Sequence, residues 1–213
     1  MVVPAPVAPP AHHVTIELDA TMVAPPWIQG ALLPEPSDTM QREGGQFIGG
    51  ARYEQLLTAT GVIVVDGVRF DVSGAGLRTH QRGVRTVGKM IGHTWISGYW
   101  PATRRGFGLQ QHPRPGGGFY FSEGYVLHEG RLIGARVVEA PVLRHVPAGE
   151  DYDVRLSSEL GDTVIHGRTV RATFIPLAPP NADNPGTVMS QACSMFDCDG
   201  DLGHGMCERS GPA

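Results

Sequence analysis

Short stretches that alternate apolar and polar residues, separated by two-residue turns, follow one another from about Gly61 onward. The clearest case is Val62-Ile63-Val64-Val65, then Asp66-Gly67, then Val68-Arg69-Phe70-Asp71-Val72. Side chains alternate between the two faces of a strand, so one face of the second stretch is apolar and the other is charged. Asp-Gly readily adopts the two positive φ angles of a type I′ turn. The pattern predicts an antiparallel hairpin.

The same pattern recurs towards the C-terminus, with predicted turns at Glu129-Gly130, Gly161-Asp162 and Asp199-Gly200. Only residues 53–59 could pass for a helix, and that stretch is short. Regularly spaced short strands with turn signals between them predict an all-β, antiparallel sandwich or barrel. Closing such a sheet would remove its exposed edges.

Proline-rich stretches divide the chain. Residues 1–10, 24–36 and 176–186 are interpreted as a tail or loops, the first of them disordered. The predicted organisation is a disordered Pro-rich tail over 1–13, a connecting segment with the first strands over 14–60, and a β-barrel over 61–213.

Composition and charge indicate which kinds of binding partner are not expected. The 213 residues carry 21 acidic and 17 basic side chains, a formal net charge of −4, and the arginines are dispersed, so we expect no nucleic-acid partner. No apolar run approaches the roughly 20 residues that span a bilayer, and the N-terminus has neither the basic nor the apolar region of a signal peptide. We therefore expect a cytoplasmic protein whose 3 cysteines are free thiols.

The segment Gly76–Arg85 concentrates cationic side chains between glycines in an otherwise strand-forming region. If it enters the barrel as a strand, its first two arginines and its histidine share one face. The histidine could exchange a proton, and an arginine could bind a carboxylate or enolate. The alternative is a salt-bridge cluster with Glu54 or Glu123 that closes one end of the barrel. The candidate residues are Arg78, His80, Arg82 and Arg85.

A second candidate is the aromatic stretch His93–Trp100. In a strand, one of its faces combines aromatic and hydroxyl side chains, the usual lining of a small-molecule pocket. These side chains are His93, Trp95, Ser97 and Tyr99. The alternative interpretation is barrel core in which the polar tips of the aromatic residues are satisfied.

Other motifs favour no chemistry of their own. Asp197, Asp199, Asp201 and Glu208 imitate the spacing of an EF-hand loop, but Leu202 stands where that loop needs glycine, which favours a polar hairpin turn. No histidine or cysteine pair has metal-ligand spacing, so neither a metal nor a cofactor is predicted. The sequence has no Gly-x-Ser-x-Gly elbow of a serine hydrolase.

Several motifs in order carry a resemblance to a known family. They are Arg52-Tyr53-Glu54-Gln55, the Asp66-Gly67 hairpin, Gly76-Leu77-Arg78-x-His80 with Gly83-x-Arg85, Trp95, Gly124-Tyr125-Val126 and Gly203-x-Gly-x-x-Glu208. Over roughly residues 20–210 the chain resembles the C-terminal half of the AttH-like, hydroxyneurosporene synthase-like proteins of the calycin (lipocalin-like) group. It departs from them in carrying Arg82 where they have tryptophan, and those relatives are longer, with two barrels.

The resemblance implies a lipocalin-like barrel with a pocket for an apolar small molecule. It also implies cofactor-free hydration or cyclisation of an isoprenoid or polyketide-like substrate, the chemistry of the branch that hydrates carotenoid double bonds. His80 or Glu54 would then be the catalytic acid. The substrate-binding residues would be Arg78, Arg82, Arg85, His93, Trp95 and Tyr99. Two alternatives stay open: a non-catalytic protein that binds a lipid-like ligand, and an inactive half-protein that completes its fold as a homodimer.

Overall fold

The computed structural model describes residues 11–39, 52–83, 91–178 and 186–212. Within these ranges strands dominate and one short helix is present. Residues 1–10 of the predicted tail over 1–13 lie outside the described residues, and so does the candidate Arg85. The elements in chain order are β1 (Val14–Met22), β2 (Trp27–Ile28), α1 (Pro34–Thr39), β3 (Arg52–Val65), β4 (Val68–Gln81), β5 (His93–Trp100), β6 (Arg105–Pro113), β7 (Phe119–His128), β8 (Arg131–Glu139), β9 (Asp151–Ser158), β10 (Gly161–Ala178), β11 (Thr187–Cys198) and β12 (Asp201–Pro212).

Strands β5–β12 form a closed antiparallel barrel in the order β10-β11-β12-β5-β6-β7-β8-β9. This confirms the predicted all-β, lipocalin-like fold. The barrel is filled by an apolar cluster in which aromatic side chains from three strands meet, among them Trp100, Phe107 and Phe196. The Phe107 and Phe196 rings pack edge-on with centroids 5.0 Å apart.

The predicted turn chemistry is confirmed at three hairpins. Asp66, Glu129 and Asp199 have φ angles of 50°, 48° and 58°, and each is followed by a glycine that also has positive φ, as a type I′ turn requires. One turn differs from its prediction. Ser158 pairs with Gly161, so the β9–β10 turn is at Glu159-Leu160 and not at Gly161-Asp162.

A smaller sheet lies outside the barrel. β3 is its centre, paired with β1 and β2 along one edge and with β4 along the other, all antiparallel. The stretch 53–59 is therefore strand and not helix, because both of its edges are occupied by ladder hydrogen bonds. The Asp66-Gly67 hairpin and the segment up to Gln81 belong to this sheet, and the closed barrel begins at His93.

One end of the smaller sheet packs on the outer surface of the barrel. Leu56 from β3 and Trp27 from β2 contact Tyr99, Tyr125 and Leu127 in a second apolar cluster. Trp27 and Tyr125 meet edge-on with ring centroids 5.2 Å apart. The interface thus adds a second core, on the outer face of β5–β7. No helix of the described ranges is long and apolar enough to cross a membrane.

Candidate functional site

The two faces of β5 serve different cores. Ile96 and Trp100 point into the barrel cluster, whereas Tyr99 belongs to the second cluster and Trp95 donates a hydrogen bond to Glu54 of β3. The face that carries His93, Trp95, Ser97 and Tyr99 is therefore the outer face of the barrel, turned towards the smaller sheet. The sequence predicts that these residues share a face, but the pocket expected there was placed inside the barrel.

Glu54 is the centre of a buried polar group at this interface. It is 1% exposed and lies 2.8 Å from Nη2 of Arg52. The indole Nε1 of Trp95 donates to its Oε2 at 2.9 Å, and the amide of Gln29 donates to its Oε1 at 3.3 Å. The guanidinium of Arg52 also stacks over the Trp95 ring, 4.2 Å from the centroid. Glu54 is thus held by one cation and two neutral donors.

Burial dominates the acidity of Glu54. Removal from water raises the pKa of this carboxyl above its ordinary value, and the charge of Arg52 together with the hydrogen bonds only partly opposes that shift. The phenol of Tyr125 is fully buried nearby, and burial and the negative charge of Glu54 raise its pKa as well. Burial thus shifts both of these groups towards their protonated, neutral forms.

A second polar group surrounds His93. Its Nε2 lies 2.6 Å from Oε1 of Glu208, and its Nδ1 lies 2.6 Å from Oγ of Ser210. Gln191 donates to the other carboxylate oxygen of Glu208. Burial alone would raise the pKa of Glu208, but hydrogen bonds from His93 and Gln191 and the charges of His93 and Arg52 outweigh it and hold the pKa below its ordinary value. Glu208 is accordingly a carboxylate at neutral pH.

Amide side chains join the two groups. Gln29 donates to Gln110 as well as to Glu54, and the amide nitrogen of Gln110 lies 2.9 Å from Nε2 of His112. The His112 ring stacks beside that of His93, with centroids 6.0 Å apart. A continuous polar stripe therefore crosses the outer face of β12, β5 and β6 beneath β3.

Glu123 anchors the chain that covers this stripe. Its Oε2 accepts hydrogen bonds from Trp27 Nε1 at 2.8 Å and Gly30 N at 2.7 Å. Its Oε1 accepts from the backbone N–H groups of Leu32 and Leu33 at 3.1 and 3.0 Å. This carboxylate fastens residues 27–33 onto β7. Within the described residues its partners are these four N–H groups, and neither Arg78 nor Arg82 is among them.

His80 and Glu54 lie on opposite faces of the smaller sheet. The His80 ring stacks on Tyr53 with centroids 5.3 Å apart, and the Arg78 guanidinium lies 5.0 Å from the same ring. These three side chains face away from the barrel, while Glu54 faces it. Arg82 follows the end of β4 and is exposed. The described candidates thus fall into two sets, with Glu54, His93, Trp95 and Tyr99 at the interface and Arg78 and His80 on the outward face.

Two depressions adjoin the polar stripe. One, of about 420 Å³, lies on the outside of β10–β12 and is bordered by Ile175, Met206 and Glu208. The other, of about 280 Å³, lies at the rim of the barrel and is bordered by His93, Ser210 and apolar side chains of the β8–β9 connection. Both open beside the His93–Glu208 pair.

Sequence reasoning missed most of the partners that organise this site. Gln29, Gln110 and Ser210 are not among the residues predicted from the sequence, and Arg52 and Glu208 enter only as parts of motifs. A usable signal was present for two of them, because Glu208 and Ser210 alternate on one strand face. Their pairing with His93 depends on register between strands distant in sequence, which alternation does not specify.

The fold and the site define a calycin-like barrel protein with a buried acid–base stripe between the barrel and an added sheet. The family model that matches the chain, over residues 10–213, is a domain of unknown function, DUF7064. The chain therefore belongs to the DUF7064 family. No curated protein matches it.

Solved structures similar to this chain include the following two. A protein from Nitrosomonas europaea, provisionally assigned as an AttH, superposes with a TM-score of 0.59 at 17% sequence identity. The match covers 94% of this chain and 62% of that protein's chain. Kievitone hydratase from Nectria haematococca gives a TM-score of 0.49 at 12% sequence identity. That match covers 78% of this chain and 54% of the hydratase chain. The chain thus spans less than two thirds of either protein. At such identities the first likeness confirms the fold expected from the AttH-like motifs and nothing finer.

Proposed function

We propose that this protein is an enzyme that protonates a carbon–carbon double bond of an apolar small molecule, leading to hydration or cyclisation without a cofactor. The observation that carries the proposal is Glu54, a carboxyl with raised pKa, buried between the sheet and the barrel and flanked by the indole of Trp95. A general acid must hold a proton at the working pH, and burial is what makes a carboxyl do so.

In the proposed step, the Glu54 O–H bond breaks and a C–H bond forms at one alkene carbon, which leaves a carbocation at the other. Arg52 covers one face of the Trp95 ring, and we assign shielding of the cation to the opposite face. Water then forms the C–O bond, and its surplus proton returns to the Glu54 carboxylate. In cyclisation, a second double bond of the same substrate replaces water and forms the new C–C bond, and a proton from a carbon next to the resulting cation returns to the Glu54 carboxylate.

Access to Glu54 is part of the proposal. Because its side chain is 1% exposed, the substrate must enter where the smaller sheet and the barrel separate locally. The same burial excludes bulk water, which would otherwise compete for a reactive cation. His93 and Tyr99 lie on the same outer face as Trp95, and we assign them to substrate contact.

His80 is the second candidate acid. It would act on the outward face of the sheet, where Arg78 and Arg82 would anchor a polar end of the substrate, and Arg85 would join them. The sheet separates His80 from Glu54, so the two acids make distinct predictions. Loss of activity on replacing only one of them identifies the face at which the chemistry occurs.

The test is incubation of the purified protein with a panel of linear isoprenoid polyenes, followed by mass spectrometry for addition of one water or for an isomer of unchanged mass. We expect Glu54→Gln to lower turnover at least about 100-fold. If Glu54 is the acid, the turnover of His80→Gln should stay within about threefold of that of the unsubstituted protein. Glu139→Gln, an exposed carboxyl paired with Arg155, is the matched control.

The opposite ranking of the two variants would move the chemistry to the outward face. Bound polyene without turnover in the unsubstituted protein would instead favour a non-catalytic binding protein. Equal turnover in both variants and in the control would contradict both acids.

A second candidate, assembly as a homodimer, is favoured by the outward face of the smaller sheet. Beyond the barrel this face carries apolar side chains in register on three strands, exposed on β1 and β4 and half-buried on β3 between them. Monomeric proteins rarely expose a contiguous apolar patch of this kind. Phe70→Lys would place a charge in the patch, whereas Asp71→Lys would alter the opposite face. Light scattering that shows a dimer lost only in Phe70→Lys supports this candidate, and a monomer at all concentrations contradicts it. The patch includes Val14, Ile16, Leu18, Val68 and Phe70.

A further inference from the structure

Ser210, His93 and Glu208 form an unbroken hydrogen-bonded row at the rim of the barrel. The serine Oγ lies 2.6 Å from one ring nitrogen of His93, and the glutamate Oε1 lies 2.6 Å from the other. All three residues are at least nine-tenths buried, at 7%, 8% and 6% exposure. The row contains a hydroxyl, a base and a group that orients the base, as an activated nucleophile needs.

Strand register builds this row. In the β12–β5 ladder Ser210 stands directly opposite His93, and Glu208 stands opposite Trp95. Residues two apart on β12 share a face, so the serine and the glutamate flank the imidazole from one strand. Gly92 permits the close packing beside it, because a Cβ there would lie 2.5 Å from the carbonyl oxygen of Ser210. The three groups are thus fixed on two central strands of a closed barrel.

The partners also fix the tautomer of a neutral His93. Glu208 is ionised and can only accept, so the Nε2 that faces it must carry the ring proton. The Nδ1 that faces Ser210 then presents its lone pair to the hydroxyl. This is the arrangement in which an imidazole can take the proton of a serine. Gln191 holds the second oxygen of Glu208 and so keeps the carboxylate in place.

The serine opens onto a space that fits a small acyl group. The depression of about 280 Å³ at the rim is bordered by His93 and Ser210 together with the apolar side chains of Ile91, Val142 and Leu143. Its walls are mostly apolar, and His145 adds a second imidazole to the lining. A short alkyl chain would lie against the apolar wall with its carbonyl carbon towards the serine.

We propose that Ser210 is a nucleophile for acyl transfer from small carboxylic esters, with His93 as its base and Glu208 as the residue that positions His93. The Oγ–carbonyl carbon bond forms as the Oγ proton moves to His93 Nδ1. The ester C–O bond breaks, and the leaving alcohol takes that proton. Water then attacks the acyl-serine, His93 again takes and returns the proton, and the carboxylic acid leaves. This reaction is independent of alkene protonation at Glu54.

A fluorophosphonate probe tests the proposal directly, since it captures activated serines by forming an Oγ–P bond and releasing fluoride. We expect a single adduct by intact-mass spectrometry, mapped to the peptide that contains Ser210. Ser210→Ala should give none. His93→Gln should slow labelling by at least about 100-fold and Glu208→Gln by at least about 10-fold.

Ser190→Ala is the matched control, because Ser190 is a fully buried serine whose hydroxyl has no hydrogen-bond partner in the described part of the chain. It should label like the unsubstituted protein. Circular dichroism and an unfolding midpoint for each variant show whether a loss of labelling comes from removal of the base or from unfolding of the protein. Labelling does not require any alkene to react, so it is unaffected by the fate of the proposed hydration. A folded protein that takes up no probe, an adduct at another residue, or an unchanged rate in a folded His93→Gln variant would overturn the proposal.

Discussion

Single carboxylates perform different tasks on the outer face of this barrel. Glu123 accepts hydrogen bonds from four N–H donors, whereas Glu54 is held by one cation and two neutral donors, and burial raises the pKa of both carboxyls. A carboxylate can accept two bonds on each oxygen, and Glu123 uses that full capacity. Its role is to hold residues 27–33 against the barrel.

Replacing Glu123 by glutamine should therefore destabilise the fold sharply. The amide keeps one acceptor oxygen but turns an NH₂ group towards two backbone or indole N–H donors, which leaves them buried without a partner. We expect a loss of about 2–4 kcal/mol in the free energy of unfolding, measured by urea denaturation. Glu139→Gln, at an exposed ion pair, should change it by less than about 1 kcal/mol. Equal midpoints for the two variants would show that Glu123 is not an anchor.

Glu54 should make stability depend on pH in the direction set by its raised pKa. Between its ordinary value and the raised value, the folded state binds the proton and the unfolded state does not. Stability from this group is then present at low pH and is lost as pH rises through the folded pKa. Glu54→Gln should flatten that part of the profile in urea unfolding measured at a series of pH values. An unchanged slope would mean that Glu54 is ionised in the folded protein.

For single residues, the sequence predicted which side chains share a strand face better than it predicted their hydrogen-bond partners. His93, Trp95 and Tyr99 were expected on one strand face and lie on one. That face is on the outside of the barrel, because an added sheet makes the outer surface a second core. Alternation along β5 shows two faces but not which of them is enclosed. The links from His93 to Glu208 and Ser210 required the β12–β5 register.

At the scale of elements, β3 is the strand on which the smaller sheet depends. It pairs with β1 from Leu57 to Val65 and with β4 along its whole length. Gly61 lies in the middle, where a Cβ would be 2.1 Å from the carbonyl oxygen of Glu17. Its φ of 151° is also unfavourable for other residues. The approach of β1 to β3 at this point requires glycine.

Gly61→Ala should accordingly release β1 while leaving the barrel folded. We expect amide hydrogen exchange over Val14–Met22 to accelerate at least about 10-fold, with exchange in β5–β12 unchanged. Gly74→Ala is the control, because a Cβ at Gly74 in the adjacent strand meets nothing within 4 Å. Loss of protection throughout the chain would show instead that the sheet and the barrel unfold together.

The strands of this sheet were only partly predictable. The Asp66-Gly67 turn has a strong local signal and specifies the β3–β4 hairpin around it. The first half of β3 has no such signal, and Tyr53-Glu54-Gln55-Leu56-Leu57 suits a helix equally well by composition. What makes it a strand is pairing with Trp27-Ile28 on one edge and with residues 76–81 on the other, which no local pattern encodes.

At the scale of the whole molecule, strands β5–β12 close into one barrel. One buried ion pair joins its last strand to the connection between β8 and β9. Arg209 of β12 is 0% exposed and forms a bidentate salt bridge with Glu150. Its Nη1 lies 2.9 Å from Oε1 of Glu150, and its Nη2 lies 2.6 Å from Oε2. It also donates to the carbonyl oxygen of Val142 at 2.9 Å. The connection between β8 and β9 therefore rests on a side chain from the last strand.

The same connection is held from a second side, by backbone hydrogen bonds to β10. Gly149 N donates to the carbonyl oxygen of Thr169 at 2.8 Å, and Thr169 N donates to that of Glu150 at 2.9 Å. The sequence predicted a barrel because strand repetition and turn chemistry are local. It did not predict this closure, since Glu150 and Arg209 are far apart in the chain and meet only once eight strands have closed.

Arg209→Met tests how far the barrel depends on the closure. Removing the cation leaves the Glu150 carboxylate buried without its partner, which costs about 3–5 kcal/mol in comparable pairs. The double variant Arg209→Met, Glu150→Leu removes both charges and should recover much of that loss, because no unpaired charge remains. Urea unfolding of the two single variants and the double variant gives the coupling between the residues. If the losses simply add, the two charges do not act on one another, and the backbone bonds to Thr169 must hold the connection alone.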